Sequence, residues 1–272
     1  MNIKNILIPV DFSESSKNAL KAGIVIAKKA DAKIHMVNAV HIHASMPDGH
    51  LIEAIVGDYE EQVKQSFDEL ESEVIELKDV PHEDDRFVSY LSDAIYSETK
   101  QKGIDLIVMG TRSQHTLGER LLGTNAIDVI TQSETPVLVI PEDYHGFAPT
   151  RIGFASDFLR VPDYGPLRIL KALGALFGAE VMVFHIADDI TEDEQKQIDK
   201  IKESLSSLPN CSIRIVSADS VIGGIQEFAS SHKLDMLTMM PRTHNLFERL
   251  FVKSVTKAIA IDIDIPLLTF HE

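Results

Sequence analysis

Residues 103–125 read Gly-Ile-Asp-Leu-Ile-Val-Met-Gly-Thr-Arg-Ser-Gln-His-Thr-Leu-Gly-Glu-Arg-Leu-Leu-Gly-Thr-Asn. The run Ile104–Met109, interrupted only by Asp105, has the pattern of a strand buried on both faces. Gly110 follows directly, and a helix is expected from about Asn125. The same text recurs downstream. Lys233-Leu-Asp-Met-Leu-Thr-Met239 matches 103–109, and 239–253 copies the loop one residue shorter. In the copy Met240 replaces Gly110, Phe247 replaces Gly118, and Val252-Lys253 replaces Gly123-Thr124. Glycine lets a backbone approach a ligand closely or turn with positive φ, and Met, Phe and Val do not. A phosphate-cradling loop is therefore expected in the first half only.

Working outward, strands alternate with helices. Asn5–Val10 is a short apolar strand ending in Asp11-Phe12-Ser13, and Ser13 or Ser15 caps a helix through Ala19, Leu20, Ala22, Ile26 and Ala27. A second strand is expected at Lys33–Val40, a long acidic helix at about 53–76, and a weak third strand around Arg86–Ser89. A helix runs through Ala94 and Ile95 to about Lys102, and Pro136–Ile140 is the last strand of the half. Arg151–Ser156 with Asp157-Phe158 echoes the first strand and Asp11-Phe12; a helix through Leu170, Leu173 and Phe177 leads to a strand at Glu180–His185. A shorter helix follows at Glu192–Ser206, and Ile265–Phe270 closes the repeat. This alternation predicts parallel sheets with right-handed crossovers. The domains are expected at 1–143 and 148–272, with Pro141–Thr150 as the linker.

Composition narrows the function. The chain is 44% apolar and 25% charged, ordinary for a globular protein, and no apolar run approaches the roughly 20 residues of a membrane span. No signal-peptide pattern opens the chain, and one cysteine, Cys211, excludes an intramolecular disulfide, so a cytoplasmic protein is expected. The net charge is −16, and residues 58–85 alone hold 12 acids against two lysines. Val63, Phe67, Leu70, Val74 and Leu77 sit at helical spacing in that run, which reads as an amphipathic helix with an acidic solvent face. Such a field repels nucleic acid and leaves a basic partner as the alternative use of the face.

In an open parallel sheet, ligands bind beyond the carboxyl ends of the strands. Pro9-Val10-Asp11, Val40-His41 and Met109-Gly110 end three strands on one rim. Asp11 offers a carboxylate to a ribose or base; Gly123, Thr124 and Asn125 open a helix whose N–H groups and dipole favour an anion. Arg112 and Arg120 make the stretch locally basic. On these residues the chain resembles the universal stress protein family, as a tandem covering nearly its whole length. The family's motif of Gly, two residues, Gly, nine residues and Gly-Ser or Gly-Thr is matched by Gly110, Ser113 and Gly123-Thr124, with Ser113 in place of the middle glycine. The resemblance implies two tandem α/β domains of the Rossmann-like, adenine-nucleotide-alpha-hydrolase type, each a five-stranded parallel sheet. It implies one ATP, accompanied by Mg²⁺ or Mn²⁺, in the first domain. Pro9, Asp11, Val40 and Met109 would hold adenine and ribose, with Gly110, Arg112, Ser113, Gly123, Thr124 and Asn125 around the phosphates. It further implies that the closing strands pair across a two-fold axis as an internal pseudo-dimer, and a homodimer of whole chains is an additional expectation.

Plainer roles stand beside these. Asp11 and Asp157 would cap helices; Arg120 and Arg249 would pair with Glu119 and Glu248; His115 and His244 would bond within their loops. His41, His43 and His50 lack carboxylate or cysteine partners at ligand spacing, so no metal site is expected there, and Asp188, Asp189, Glu192 and Asp193 read as a helix start. A stress-response binding module is the leading function. Slow ATP hydrolysis, with His115 or Glu119 positioning water, and a nucleotide-independent scaffold are the alternatives; no Walker lysine follows the glycines, and no catalytic residue is assigned.

Overall fold

Short aliphatic runs that cannot bury themselves as helices set the strands. The structure, a computed structural model, describes residues 3–41, 49–111, 124–158, 167–240 and 264–270. In the first half β1 is Asn5–Pro9, α1 Glu14–Ala30, β2 Lys33–Val40, α2 Gly49–Glu73, β3 His82–Val88, α3 Leu91–Lys102, β4 Leu106–Thr111, α4 Thr124–Gln132 and β5 Val137–Pro141. In the second, β6 is Arg151–Ala155, α5 Leu167–Phe177, β7 Glu180–Ile186, α6 Glu192–Leu205, β8 Cys211–Val216, α7 Val221–Ser231, β9 Met236–Met239 and β10 Leu267–Thr269. Among the described residues ten strands form one sheet in the order β3-β2-β1-β4-β5-β10-β9-β6-β7-β8. Every pairing is parallel except the central one. There β5 meets β10 antiparallel, with Leu138 opposite Leu268. The two closing strands thus cover each other's edges, as the resemblance implied.

Period-two alternation divides the sheet's side chains between two cores. Ile6 and Ile8 belong to the core on the side of α1, α2, α5 and α6, whereas Leu7 belongs to the core on the side of α3, α4 and α7. Asp105 and Asp235, the matched interruptions of two apolar strands, serve one purpose. The Asp105 carboxylate accepts the N–H groups of Lys4 and Asn5 at 2.8 and 3.1 Å, and Asp235 accepts those of Thr150 and Arg151 at 2.9–3.0 Å. Each acid anchors the start of its half's first strand. Phe12 and Phe158, also matched, both take left-handed backbone, with φ of 61° and 48°. That conformation costs an L-residue about 1–2 kcal/mol. Ring burial offsets it: Phe158 is fully buried, and Phe12 packs edge-on against Phe67 with centroids 5.1 Å apart.

Three expectations change. The third strand begins at His82 rather than Arg86, because its acidic text is neutralised by neighbours: Glu83 pairs with Lys33, with Lys102 at 2.7 Å and with His35 at 2.8 Å. Strand β8 and helix α7 complete the second half, although their short segments carried no assignment from sequence. The segment expected as a plain linker is packed. The buried Asn18 amide faces the carbonyls of Pro141 and Glu142 at 3.1 and 3.3 Å and that of Tyr144. Phe147 is buried edge-on to Phe177 at 5.4 Å, and the Tyr144 hydroxyl donates to the Asp235 carbonyl at 3.3 Å.

Candidate functional site

The carboxyl ends of β1, β2 and β4 enclose a cavity of about 120 Å³ together with the first turns of α1, α3 and α4. Of the residues expected at a site, Pro9, Asp11, Met109, Gly110 and Asn125 line it. Val40 does not. Ala39 takes that place, with Val37 below it, because side chains alternate and the cavity opens on the α3 and α4 face. Thr124 opens α4 but is not part of the lining, and Arg112, Ser113 and Gly123 lie outside the described residues, as do Arg120, His115, Arg249 and His244. A volume of 120 Å³ is a subsite beside the roughly 300–1,000 Å³ of a whole small-molecule pocket.

Asp11 and the serines behind it form a connected polar edge. The Asp11 Oδ1 accepts the Ser13 N–H at 3.1 Å and the Ser13 hydroxyl. Ser13, not Asp11, is the helix cap: its Oγ accepts the Ser16 N–H at 3.4 Å, and Ser15 Oγ lies 3.0 Å away. Ser15 and Ser16 line the cavity and were missed from sequence, together with Val37 and Leu91. Sequence offers Ser15 only as a possible helix cap and gives Ser16 no role; what makes them lining residues is the approach of α1 to β4. A Cβ built on Gly110 would meet the Ser15 carbonyl oxygen at 2.2 Å. Gly110 does not have positive φ; its missing side chain admits the backbone of α1.

Just below the rim, on the opposite face, Asn38 donates to the Val10 carbonyl at 2.6 Å and accepts the Tyr59 hydroxyl at 2.6 Å. Burial raises the Tyr59 phenol above its ordinary value, so it stays a neutral donor. His41 stacks on Tyr90 with centroids 3.8 Å apart. Among the described residues no group of three or more His, Cys, Asp or Glu side chains is arranged to hold a metal ion; His43 lies outside them, and the His50 side chain is likewise not described.

A family model, the Universal stress protein family, matches residues 2–141. The chain belongs to the universal stress protein family. Among curated relatives, a universal stress protein of Thermus aquaticus is 29% identical over 143 residues, covering 50% of this chain and 98% of that one. A universal stress protein of Methanocaldococcus jannaschii is 30% identical over 139 residues, covering 50% and 81%. Among solved structures, a universal stress protein from Archaeoglobus fulgidus shares the fold over 100% of this chain and 99% of its own, with a TM-score of 0.77 at 16% identity. A functionally unknown Pseudomonas aeruginosa protein aligns over 99% and 92%, with a TM-score of 0.63 at 13% identity.

Within this universal stress protein the two halves can be compared position by position. The pairings Pro9↔Val37 and Ala155↔Phe184 equate Val37 with Phe184, Asn38 with His185 and Ala39 with Ile186. His185 reproduces the Asn38 bond, its Nδ1–H donating to the Ser156 carbonyl at 2.9 Å. The lining positions diverge. Phe184 is fully buried and stacked on Phe228 at 4.0 Å, and Met240 packs against the core where the first half has Gly110. Side chains thus occupy in the second half positions that line a cavity in the first. Asp157 follows β6 as Asp11 follows β1, but its expected capping role falls on 159–166, outside the described residues. The acids at 188–194 start a helix: Thr191 and Glu194 form a reciprocal capping box, and Asp193 pairs with Lys196 at 2.7 Å.

Proposed function

We propose that this chain is a stress-response binding protein that holds one adenine nucleotide, ATP, in its first half and none at the matching place in its second. The observation that carries the reading is the contrast between Val37, Ala39 and Gly110 in one half and Phe184, Ile186 and Met240 in the other. The apolar pair Val37 and Ala39, with Pro9 and Met109, suits a flat base, and Asp11 suits a ribose hydroxyl. Asn125 brings the first turn of α4 to the same cavity, where backbone N–H groups favour phosphate oxygens. Arg112, Ser113, Gly123 and Thr124 would complete the phosphate side, and Mg²⁺ or Mn²⁺ bound with the nucleotide would neutralise its charge. The cytoplasm is the compartment we infer from the single thiol, Cys211. A homodimer of whole chains would need another surface, because β5 and β10 already cover each other.

Equilibrium titration with ATP is expected to return one site per chain. Ala39→Ile, which copies the second half, should weaken ATP binding at least about tenfold, with an overpacking cost of about 1–3 kcal/mol in stability. Two equivalent sites, or undiminished binding by Ala39→Ile, would overturn the reading.

A further inference from the structure

A second cavity, larger than the first, lies between the end of α1 and the length of α5, on the face shared by α1, α2, α5 and α6. Its volume is about 520 Å³, within the range of small-molecule pockets. Among the described residues, the charged side chains lining it are all cationic: Lys29 from α1, and Arg168 and Lys171 from α5. On a chain of net charge −16 this is a local reversal of sign. A cleft lined by one sign of charge concentrates potential and draws the opposite ion.

The two lysines meet neutral groups. Lys171 Nζ donates to the Ser204 carbonyl at 3.1 Å, and Lys29 Nζ lies over the Phe177 ring at 5.1 Å. A carbonyl and a ring face leave the ammonium charge uncompensated, in contrast to Lys17, Lys28, Lys33 and Lys102, which all meet carboxylates. Helical spacing puts Arg168 and Lys171 on one flank of α5. Ala172, Ala175 and Leu176 continue the α5 side of the cavity, and Ile3 contributes from the strand side, so the cleft is cationic with an apolar wall.

We propose that this cleft binds a phosphorylated small molecule with an apolar portion. The planar guanidinium and two ammonium groups match phosphate oxygens, and the alanine and leucine side chains match the remainder. The cleft is separate from the cavity at the ends of β1, β2 and β4, sharing no lining residue with it, so the inference stands whether or not that cavity holds nucleotide.

Inorganic pyrophosphate is the probe for the anionic part and phenyl phosphate for the whole, titrated by calorimetry into the full chain. Saturable binding of both is expected, tighter for phenyl phosphate. Arg168→Gln with Lys171→Gln should weaken both at least about tenfold, the scale of lost charge-assisted hydrogen bonds. Ala172→Phe keeps all three cations but fills the cleft, and it should weaken phenyl phosphate about tenfold or more. ATP affinity at the cavity formed by the ends of β1, β2 and β4, measured in parallel, should stay within about twofold in both variants. No saturable binding by the wild type, or equal binding by the charge variant, overturns the proposal. Ala172→Phe binding phenyl phosphate as the wild type does also overturns it, since surface cations alone would then account for the binding.

Discussion

At Gly110 one missing Cβ decides how two segments meet. Any side chain there would collide with the Ser15 carbonyl, which belongs to backbone and cannot swing aside. Gly110→Ala should therefore lower the unfolding free energy by about 1–3 kcal/mol in urea titrations. Gly57→Ala is the control: nothing lies within 4 Å of its Cβ in the interior of α2, and alanine should stabilise by about 0.5–1 kcal/mol. A second residue-scale case is Glu83. Hydrogen bonds from Lys102 and Lys33, with a smaller contribution from His35, hold its carboxyl down at about 2. Its folded pKa lies below the unfolded value, so its contribution is complete above about 4.5 and is lost as pH falls toward 2. His35 acts in the same direction. Burial lowers its pKa below 6.5, so below that pH the unfolded chain takes a proton that the folded chain resists. Denaturation midpoints of the wild type should fall between pH 7 and pH 3. Glu83→Gln should shrink that fall, and an unchanged fall would remove Glu83 from the account.

At the scale of elements, text and environment carried different amounts of the answer. Strand β2 is legible to the residue because its largely apolar run lies between Asp31 and the histidine-bearing stretch that starts at His41. Strand β3 is not, since Glu83, Asp84 and Asp85 belong by composition to the acidic run before them, and only Lys33 and Lys102, arriving from β2 and α3, meet that charge. The resemblance puts Val40, at the end of its strand, in the site, but phase rather than position decides which face a side chain meets. The clue was present in the repeat: Val37 and Ala39 against Phe184 and Ile186 are the small and large versions of one wall. The segment after β5 reads as a loop because of its Pro, Gly and acids; groups remote in sequence hold it, with Phe177 and Asp235 on Phe147 and Tyr144 and the Asn18 amide on its carbonyls. Asn18→Ala leaves those carbonyls without the amide. It should cost about 1–3 kcal/mol, and limited proteolysis should then cut within 142–150 faster than in the wild type.

For the whole molecule the antiparallel seam is the decisive contact. Leu138 and Leu268 face each other across it, both fully buried, and one ten-stranded sheet results. Calorimetry should accordingly show one unfolding transition, and two well-separated endotherms would contradict coupling through the seam. Leu268→Asp puts a carboxylate in that core and should cost at least about 3 kcal/mol, with loss of the single transition. The sequence by itself determined the alternation of strands and helices, the duplication, and the loss of glycines from the second copy. These are local properties, set by apolar period and by which residues a backbone turn tolerates. Tertiary structure alone decided that Gly110 makes room for Ser15, that Ala39 rather than Val40 lines the first cavity, and that Phe184 and Met240 are packed at the matching positions of the second half. Those outcomes depend on which elements approach one another across the sheet, and no local window of residues contains that distance.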